Sequence, residues 1–193
     1  NAIAGRIREK ASRRILVFTV EDTAETVRAR PLGGVALARS LANQGHRVVL
    51  VELHEDGADG RTMTVDEPLP GFTDLFLGHA SFAQVIFRDR LSRAHVIPFG
   101  RHPLAENATQ TDRFATLLEA LDLTYDHVIL DADGRLSPSL IEKAETVVVV
   151  SAAGASDPRT ARAVDSAASN GNAMVLLLVV EPSGNSDAEA EAA

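Results

Sequence analysis

The chain has 193 residues, 45% of them hydrophobic, so it is long enough and apolar enough to bury a core. It contains no cysteine, which excludes disulfides and thiolate metal sites, and its formal net charge of −8 argues against nucleic acid as a partner. No apolar run approaches the length of a membrane span. Because the first residue is Asn, we expect the chain to be part of a longer protein.

Apolar runs bounded by turn residues predict six strands. They cover residues 14–20, 47–53, 95–99, 127–133, 146–151 and 174–181. The second run, RVVLVEL, is almost continuously apolar, which is typical of a strand covered on both faces of a sheet.

Helices are predicted between most of these strands. Pro31 suits a first helical turn and Gly45 a helix stop, so one helix is expected from Pro31 to Gln44. A helix over 110–122 would place Phe114, Leu117, Leu118 and Leu121 on one face. The remaining helical predictions are a basic segment at 2–12, short helices at 73–78 and 81–87, and a helix that Asp157 caps and that ends at Gly171.

Strands that alternate with helices predict an α/β fold, a three-layer sandwich with a mostly parallel sheet. We expect one domain over residues 1–181, a long acidic loop at 54–71 and a disordered acidic tail at 182–193. Ligands of such sheets lie at the carboxyl ends of the strands. The loops that follow Val20, Leu53 and Asp131 are therefore the candidate site.

The first of these loops, within TVEDTAETVRARPLGG at 19–34, has the position of a phosphate loop but a different composition. A phosphate loop presents glycine N–H groups, a lysine and a Ser or Thr hydroxyl. This one has no lysine, no glycine before Gly33, and the three carboxylates of Glu21, Asp22 and Glu25. Like charges about 4 Å apart near a surface repel by roughly 4 kcal/mol, so these side chains would oppose a bound phosphate.

Four segments together carry a family resemblance. In chain order they are LARSLANQGHRVVLVEL, PGFTDLFLGHASFAQVIFRDRLSRAHVIPFGRHP, RFATLLEALDLTYDHVILDAD and AETVVVVSAAGASDPRTARAVDSAASNGNAMVLLLVV. The chain resembles the cytoplasmic P-loop domain of bacterial tyrosine kinases and of polysaccharide co-polymerases (exopolysaccharide chain-length determinants), which are relatives of the MinD/ParA ATPases. The resemblance implies a P-loop NTPase-like fold over most of the chain.

The resemblance also identifies candidate nucleotide-site positions. It places Arg30 near the family's lysine and Pro31, which has neither a hydroxyl nor an N–H, near its Ser/Thr. It places Glu52 where the kinases have a magnesium-linked aspartate, and His54 where another aspartate follows two residues later. Asp131 matches the Walker B aspartate, and Asp133 adds a carboxylate on the same face of the strand. The predicted cofactor-binding positions are therefore Arg30, Glu52, Asp131 and Asp133, with no catalytic residue and no metal ligand assigned.

Each of these features also has a structural interpretation. The 19–34 loop reads as an acidic loop that caps a helix, Asp131 and Asp133 as a solvated strand-end pair, and Glu52 as half of an ion pair. The six histidines show no i, i+4 pair and no zinc motif, and no serine-hydrolase elbow is present.

The favoured hypothesis is a non-catalytic P-loop-like domain of an exopolysaccharide biosynthesis or export protein. It would act as a scaffold at the cytoplasmic face of the inner membrane, with no cofactor. Its partners would be proteins of a polysaccharide export assembly or further copies of itself, and membrane spans would lie outside this chain. The tyrosine-rich tail of the kinases has no counterpart here, because the tail of this chain has no tyrosine. Two alternatives stay open: a nucleotide-binding domain or weak ATPase or tyrosine kinase that uses Mg-ATP or Mg-ADP, and an unrelated α/β binding module with another strand order.

Overall fold

A seven-stranded sheet runs through the protein, with the strand order β3-β4-β2-β5-β1-β6-β7. The structure is a computed structural model that describes residues 2–20, 32–55, 57–65, 68–105, 107–133, 137–169 and 173–180. The strands are β1 (Arg14–Thr19), β2 (Val48–Glu52), β3 (Phe87–Arg88), β4 (His95–Ile97), β5 (His127–Ala132), β6 (Thr146–Ser151) and β7 (Met174–Val179). Six of them are mutually parallel, and β3 alone is antiparallel to its neighbour β4.

Eight α-helices are described. They are α1 (Ala2–Glu9), α2 (Gly33–Asn43), α3 (Ala58–Met63), α4 (Phe72–Leu77), α5 (Phe82–Val85), α6 (Asp112–Asp122), α7 (Ser137–Ile141) and α8 (Pro158–Ser169), and a 3₁₀ turn covers Ala108–Gln110. Helix α2 ends where Gly45, with φ 94°, takes a backbone conformation that glycine adopts without strain. The Asp157 carboxylate accepts the N–H of Arg159 at 2.8 Å, so the predicted cap of α8 is confirmed.

The helices cover both faces of the sheet. On one face, Phe72 of α4, Phe114 and Leu118 of α6 and Leu140 of α7 pack with the inner strands. On the other face, Ile7 of α1, Leu37 and Leu41 of α2 and Met63 of α3 form a second apolar layer. Adjacent residues of one strand alternate between these layers: Leu16 of β1 belongs to the first and Val17 to the second. The predicted three-layer, mostly parallel α/β architecture is confirmed.

The main departure from the sequence prediction is α3, which lies inside the predicted loop at 54–71. Its sequence, ADGRTM, has one large apolar residue, Met63, so no helical periodicity could be seen. The prediction of a continuous loop was wrong because a tertiary contact, described below, holds the first turn of this helix. The helix predicted over 81–87 ends at Val85, and Phe87 instead begins the two-residue strand β3. The 3₁₀ turn and α7 are additional to the prediction, and each is too short to give a periodic pattern.

Several predictions fall outside the described residues. They concern the loop at 21–31, the helix end at Gly171 and the tail at 182–193. Within the described ranges, no helix has the length and apolarity needed to cross a membrane.

Candidate functional site

Glu52 and Asp131 face one another at the carboxyl edge of the sheet. Strands β2 and β5 are parallel neighbours, and their register pairs Glu52 directly with Asp131. The backbone continues this pairing, since Leu53 donates its N–H to the Asp131 carbonyl at 2.8 Å. Both side chains are almost completely buried. The sequence-based expectation that these two positions share one edge is confirmed.

The Glu52 carboxylate is held by three backbone N–H groups. Oε1 accepts from Asp59 at 2.9 Å, and Oε2 accepts from Phe99 at 3.1 Å and from Gly60 at 3.3 Å. The Asp59 and Gly60 groups belong to the first turn of α3, where N–H groups have no partner inside the helix. Glu52 therefore ties α3 and the segment after β4 to the end of β2, which explains why α3 forms in an otherwise loop-like sequence.

Burial changes the acidity of Glu52. Its pKa is raised to about 7, first because the side chain is removed from water and second because the Asp59 carboxylate is nearby. The His54 imidazole and the backbone donors act in the opposite direction and do not overcome burial. At neutral pH a larger share of Glu52 is therefore protonated than of an ordinary glutamate.

The imidazole of His54 lies among three carboxylates. Its Nε2 is 3.3 Å from Asp59 Oδ2 and 3.8 Å from Asp131 Oδ1, and its Nδ1 is 3.6 Å from Glu52 Oε1. The ring is 4% exposed. His54 thus occupies the space between the ends of β2 and β5, where its Nε2 is within hydrogen-bond distance of the Asp59 carboxylate.

The Asp131 carboxylate lies against the first turn of α2. A Cβ added at Gly34 would be 2.1 Å from Asp131 Oδ2, so any larger residue here would force this carboxylate to move. Leu32 precedes this helix and offers no side-chain cap. A negative charge near a helix N-terminus is favourable, and Asp131 supplies one to α2.

The structure brings two of the four sequence-predicted cofactor-binding positions together. Glu52 and Asp131 come together, Asp133 follows the last residue of β5 with an intermediate exposure, and Arg30 lies outside the described residues. Sequence reasoning missed Asp59 and Gly34. Asp59 was one of several acidic residues in a presumed loop, and the small residues at the start of α2 were the available signal for the close approach at Gly34.

A subset of the cluster has the spacing of metal ligands. One ligand atom each from Glu52, His54 and Asp59 lies within 4.8 Å of the others. Imidazole with carboxylate suits transition metals, whereas Mg²⁺ prefers oxygen ligands. A pocket of about 300 Å³ adjoins the cluster, with Glu52, Gly60 and Pro98 in its wall.

Comparison with known proteins supports the fold. No protein-family model matches the chain, and no curated protein sequence matches it. Among solved structures, the VpsO kinase domain superposes with a TM-score of 0.77 at 19% identity, over 93% of this chain and 92% of that one. The kinase domain of the Escherichia coli tyrosine kinase ETK gives 0.68 at 16% identity, over 92% of this chain and 72% of that one.

A more distant group of ATPases shares the same architecture. The cell division ATPase MinD of Pyrococcus furiosus gives a TM-score of 0.59 at 17% identity, over 89% of this chain and 73% of that one. At these identities the likeness is one of fold. The chain has the P-loop NTPase fold of the MinD-like ATPases and of bacterial tyrosine kinase domains, as the sequence resemblance implied.

Proposed function

We propose that this chain is a non-catalytic P-loop-like domain that serves as an assembly or partner-binding scaffold in exopolysaccharide biosynthesis or export. The fold provides the context, because bacterial tyrosine kinase domains are among the structures it matches. The residues at the strand ends supply the argument against catalysis.

The position of His54 carries this proposal. Its imidazole nitrogens lie 3.6 Å from Glu52 and 3.8 Å from Asp131, in the space between the two strand-end carboxylates. A magnesium ion that bridged these strands would need oxygen ligands in that space, and near-ideal octahedral geometry. The described residues offer it an imidazole instead, so they do not fit a magnesium–nucleotide complex held in the way the resemblance implies.

The hydrogen bonds and the pKa of Glu52 are a second reason why the site does not suit a magnesium–nucleotide complex. Both of its oxygens already accept backbone N–H groups, and its raised pKa of about 7 leaves it partly neutral at physiological pH. Phosphoryl transfer depends on positioning and on electrostatic stabilisation of phosphate charge. A site in which burial favours the neutral form of the glutamate and an imidazole lies at the centre is poorly suited to either task.

The partners and location of the scaffold rest on the sequence resemblance. The partners are proteins of a polysaccharide export assembly or further copies of this chain. The scaffold lies at the cytoplasmic face of the inner membrane. Membrane segments would belong to a longer protein of which this chain is a part.

One observation favours a second candidate, a domain that binds Mg-ATP or Mg-ADP weakly. Glu52 and Asp131 are still paired across β2 and β5, so two carboxylates remain at the strand ends. In this alternative Arg30 would contact the phosphates, and Asp133 would lie at the rim of the site.

Thermal unfolding with and without Mg-ATP and Mg-ADP separates the two candidates. A ligand at 100 times its dissociation constant adds about 2.7 kcal/mol of stability. For a domain of this size the midpoint would rise by roughly 5–10 °C. We expect no rise with either nucleotide at millimolar concentration. A rise that Asp131→Asn abolishes would instead establish the nucleotide-binding alternative.

The scaffold role needs a positive test in the organism that encodes the chain. Deletion of the chain should change the amount or the length of the exported polysaccharide, and Asp131→Asn should not. If Asp131→Asn reproduced the deletion while the variant protein remained folded, the non-catalytic role would be refuted.

A further inference from the structure

A cavity of about 470 Å³ opens at the opposite edge of the sheet, where the strands begin. Val48 and His95, the first residues of β2 and β4, lie in its wall, together with Thr124 and Tyr125 between α6 and β5. The candidate functional site lies at the other ends of the same strands. The cavity is therefore separate from that site, and the proposed function makes no use of it.

The lining of this cavity is cationic although the chain as a whole is acidic. Three arginines and two histidines contribute to the wall, namely Arg47, Arg88, Arg93, His46 and His95. None of the described residues that line it is an aspartate or a glutamate. The chain has a formal net charge of −8, so this cavity is a positively charged region of an otherwise acidic protein. Such a region attracts anions to the cavity mouth.

Two of the three guanidinium groups are available to a ligand. Arg47 is committed to Asp126, with Nη2 2.7 Å from Oδ1. The side chains of Arg88 and Arg93 are exposed and form no ion pair or hydrogen bond within the described part of the chain. Unlike the paired Arg47, they can turn toward an anion without breaking an existing contact.

A contact between β4 and the turn before β5 holds part of the cavity wall in place. His95 Nδ1 and the Tyr125 hydroxyl are 2.7 Å apart, and their rings meet edge to face with centroids 5.6 Å apart. Arg88 lies directly opposite His95 in the antiparallel β3–β4 pair. Burial and the charge of Arg88 lower the pKa of His95, so the guanidinium groups and not this imidazole carry the positive charge of the wall.

We propose that this cavity binds a small phosphate monoester, with Arg88 and Arg93 on the phosphate and the organic part against Ala42, Val48 and Tyr125. A phosphate monoester carries a charge of about −1.5 to −2 at neutral pH. It therefore balances the charge of two guanidinium groups better than a ligand with a single carboxylate would. The guanidinium fork fits phosphate oxygens in a bidentate manner. The volume is within the range of small-molecule sites, about 300–1,000 Å³, and leaves space for a group the size of a sugar.

The protein contains its own probe for this cavity. Tyr125 is the single tyrosine of the chain and there is no tryptophan, so intrinsic fluorescence reports on the cavity wall. Glucose 1-phosphate, titrated to low millimolar concentration, should change this emission saturably. Neutral glucose should leave it unchanged. Absence of a saturable response to glucose 1-phosphate, with binding also undetectable by calorimetry, would overturn the proposal.

Charge-matched variants test the location. Arg88→Gln and Arg93→Gln should each weaken binding of glucose 1-phosphate by roughly tenfold, because each removes a charge-assisted contact. Arg90→Gln is the matched control: Arg90 is an exposed neighbour that does not line the cavity. Equal weakening in all three variants would indicate attraction by overall charge and would refute the assignment to the cavity.

A membrane headgroup is the second source of the same chemistry. Vesicles that contain phosphatidic acid present a phosphate monoester on a surface, and glucose 1-phosphate presents it free. Association with these vesicles without a response to glucose 1-phosphate would contradict a cavity that encloses the ligand. The outcome is also distinguishable from nucleotide binding at the other edge, because an ATP effect there should survive Arg88→Gln and disappear in Asp131→Asn.

Discussion

Gly34 and Asp131 approach so closely that a Cβ at residue 34 would lie 2.1 Å from Asp131 Oδ2. The contact joins the first turn of α2 to the end of β5, at the centre of the candidate site. It restricts residue 34 to glycine through space, since this position requires no special backbone angle. The stability of the domain should therefore respond to this pair.

Gly34→Ala should destabilise the protein by about 1–3 kcal/mol, because the added methyl group overpacks the site. Gly5→Ala in α1 is the matched control, since a Cβ there meets nothing within 4 Å and should add up to about 1 kcal/mol through helix propensity. Urea unfolding of both variants measures the contrast. The cost of Gly34→Ala should shrink in an Asp131→Ala background; an unchanged cost would show that the clash lies elsewhere.

Glu52→Gln should alter how stability depends on pH. The folded-state pKa of Glu52 is raised from 4.5 to about 7, so its stabilising contribution is complete below 4.5 and is lost as the pH rises to about 7. The stability advantage of the unmodified protein over Glu52→Gln should therefore be largest in acid and decline toward neutrality. Urea unfolding at a series of pH values checks this, and an advantage that grew with pH would contradict the raised pKa.

Replacements of His54 test whether its imidazole separates the carboxylates. His54→Asp and His54→Asn introduce side chains of the same shape, but only His54→Asp adds a negative charge beside Glu52 and Asp131. At neutral pH, His54→Asp should be less stable than His54→Asn by up to roughly 4 kcal/mol. Millimolar Mg²⁺ should reduce this difference, because the variant restores an oxygen ligand. Equal stability of the two variants in a metal chelator would show that the position tolerates charge.

Two arginine–aspartate pairs provide a comparison of buried and exposed ion pairs. Arg39 Nη2 lies 2.8 Å from Asp89 Oδ1, and the Asp89 side chain is 0% exposed. Arg39→Ala should cost about 3 kcal/mol, because it leaves a buried carboxylate without its cation. Arg47→Ala, which removes the exposed partner of Asp126, should cost clearly less, because water screens this pair. Thermal unfolding of both variants measures the loss of stability. Similar losses would contradict the expectation that the buried pair matters more than the exposed one.

The elements with long periodic patterns were predictable. Strands β2, β5 and β6 are buried along their length because helices cover both faces of the sheet, and their sequences are therefore mostly apolar. Helix α6 shows its buried face through Phe114, Leu118 and Leu121. Helix α3 has no such pattern, since it is held by N–H groups that donate to Glu52 from seven and eight residues away.

The candidate site was predictable in part. Parallel strands end at the same edge of a sheet, so the sequence predicts that Glu52 and Asp131 lie together. The sequence also showed that His54 replaces an acidic residue of the pattern it resembles, but not that the ring would lie among three carboxylates. Gly34 contributes through a contact with the distant segment that holds Asp131, and Asp59 through the packing of α3 against the end of β2; local residue patterns predict neither distance.

The sequence by itself determined the layered α/β fold, because the periodicity of buried residues is a local property that the chain must satisfy wherever it folds. Only the tertiary structure decided the chemistry at the two edges of the sheet. The raised pKa of Glu52, the position of His54 and the presence of Arg88 and Tyr125 in one cavity wall all depend on burial and on distance between segments. Electrostatic free energies vary with both, so they are set when the segments pack.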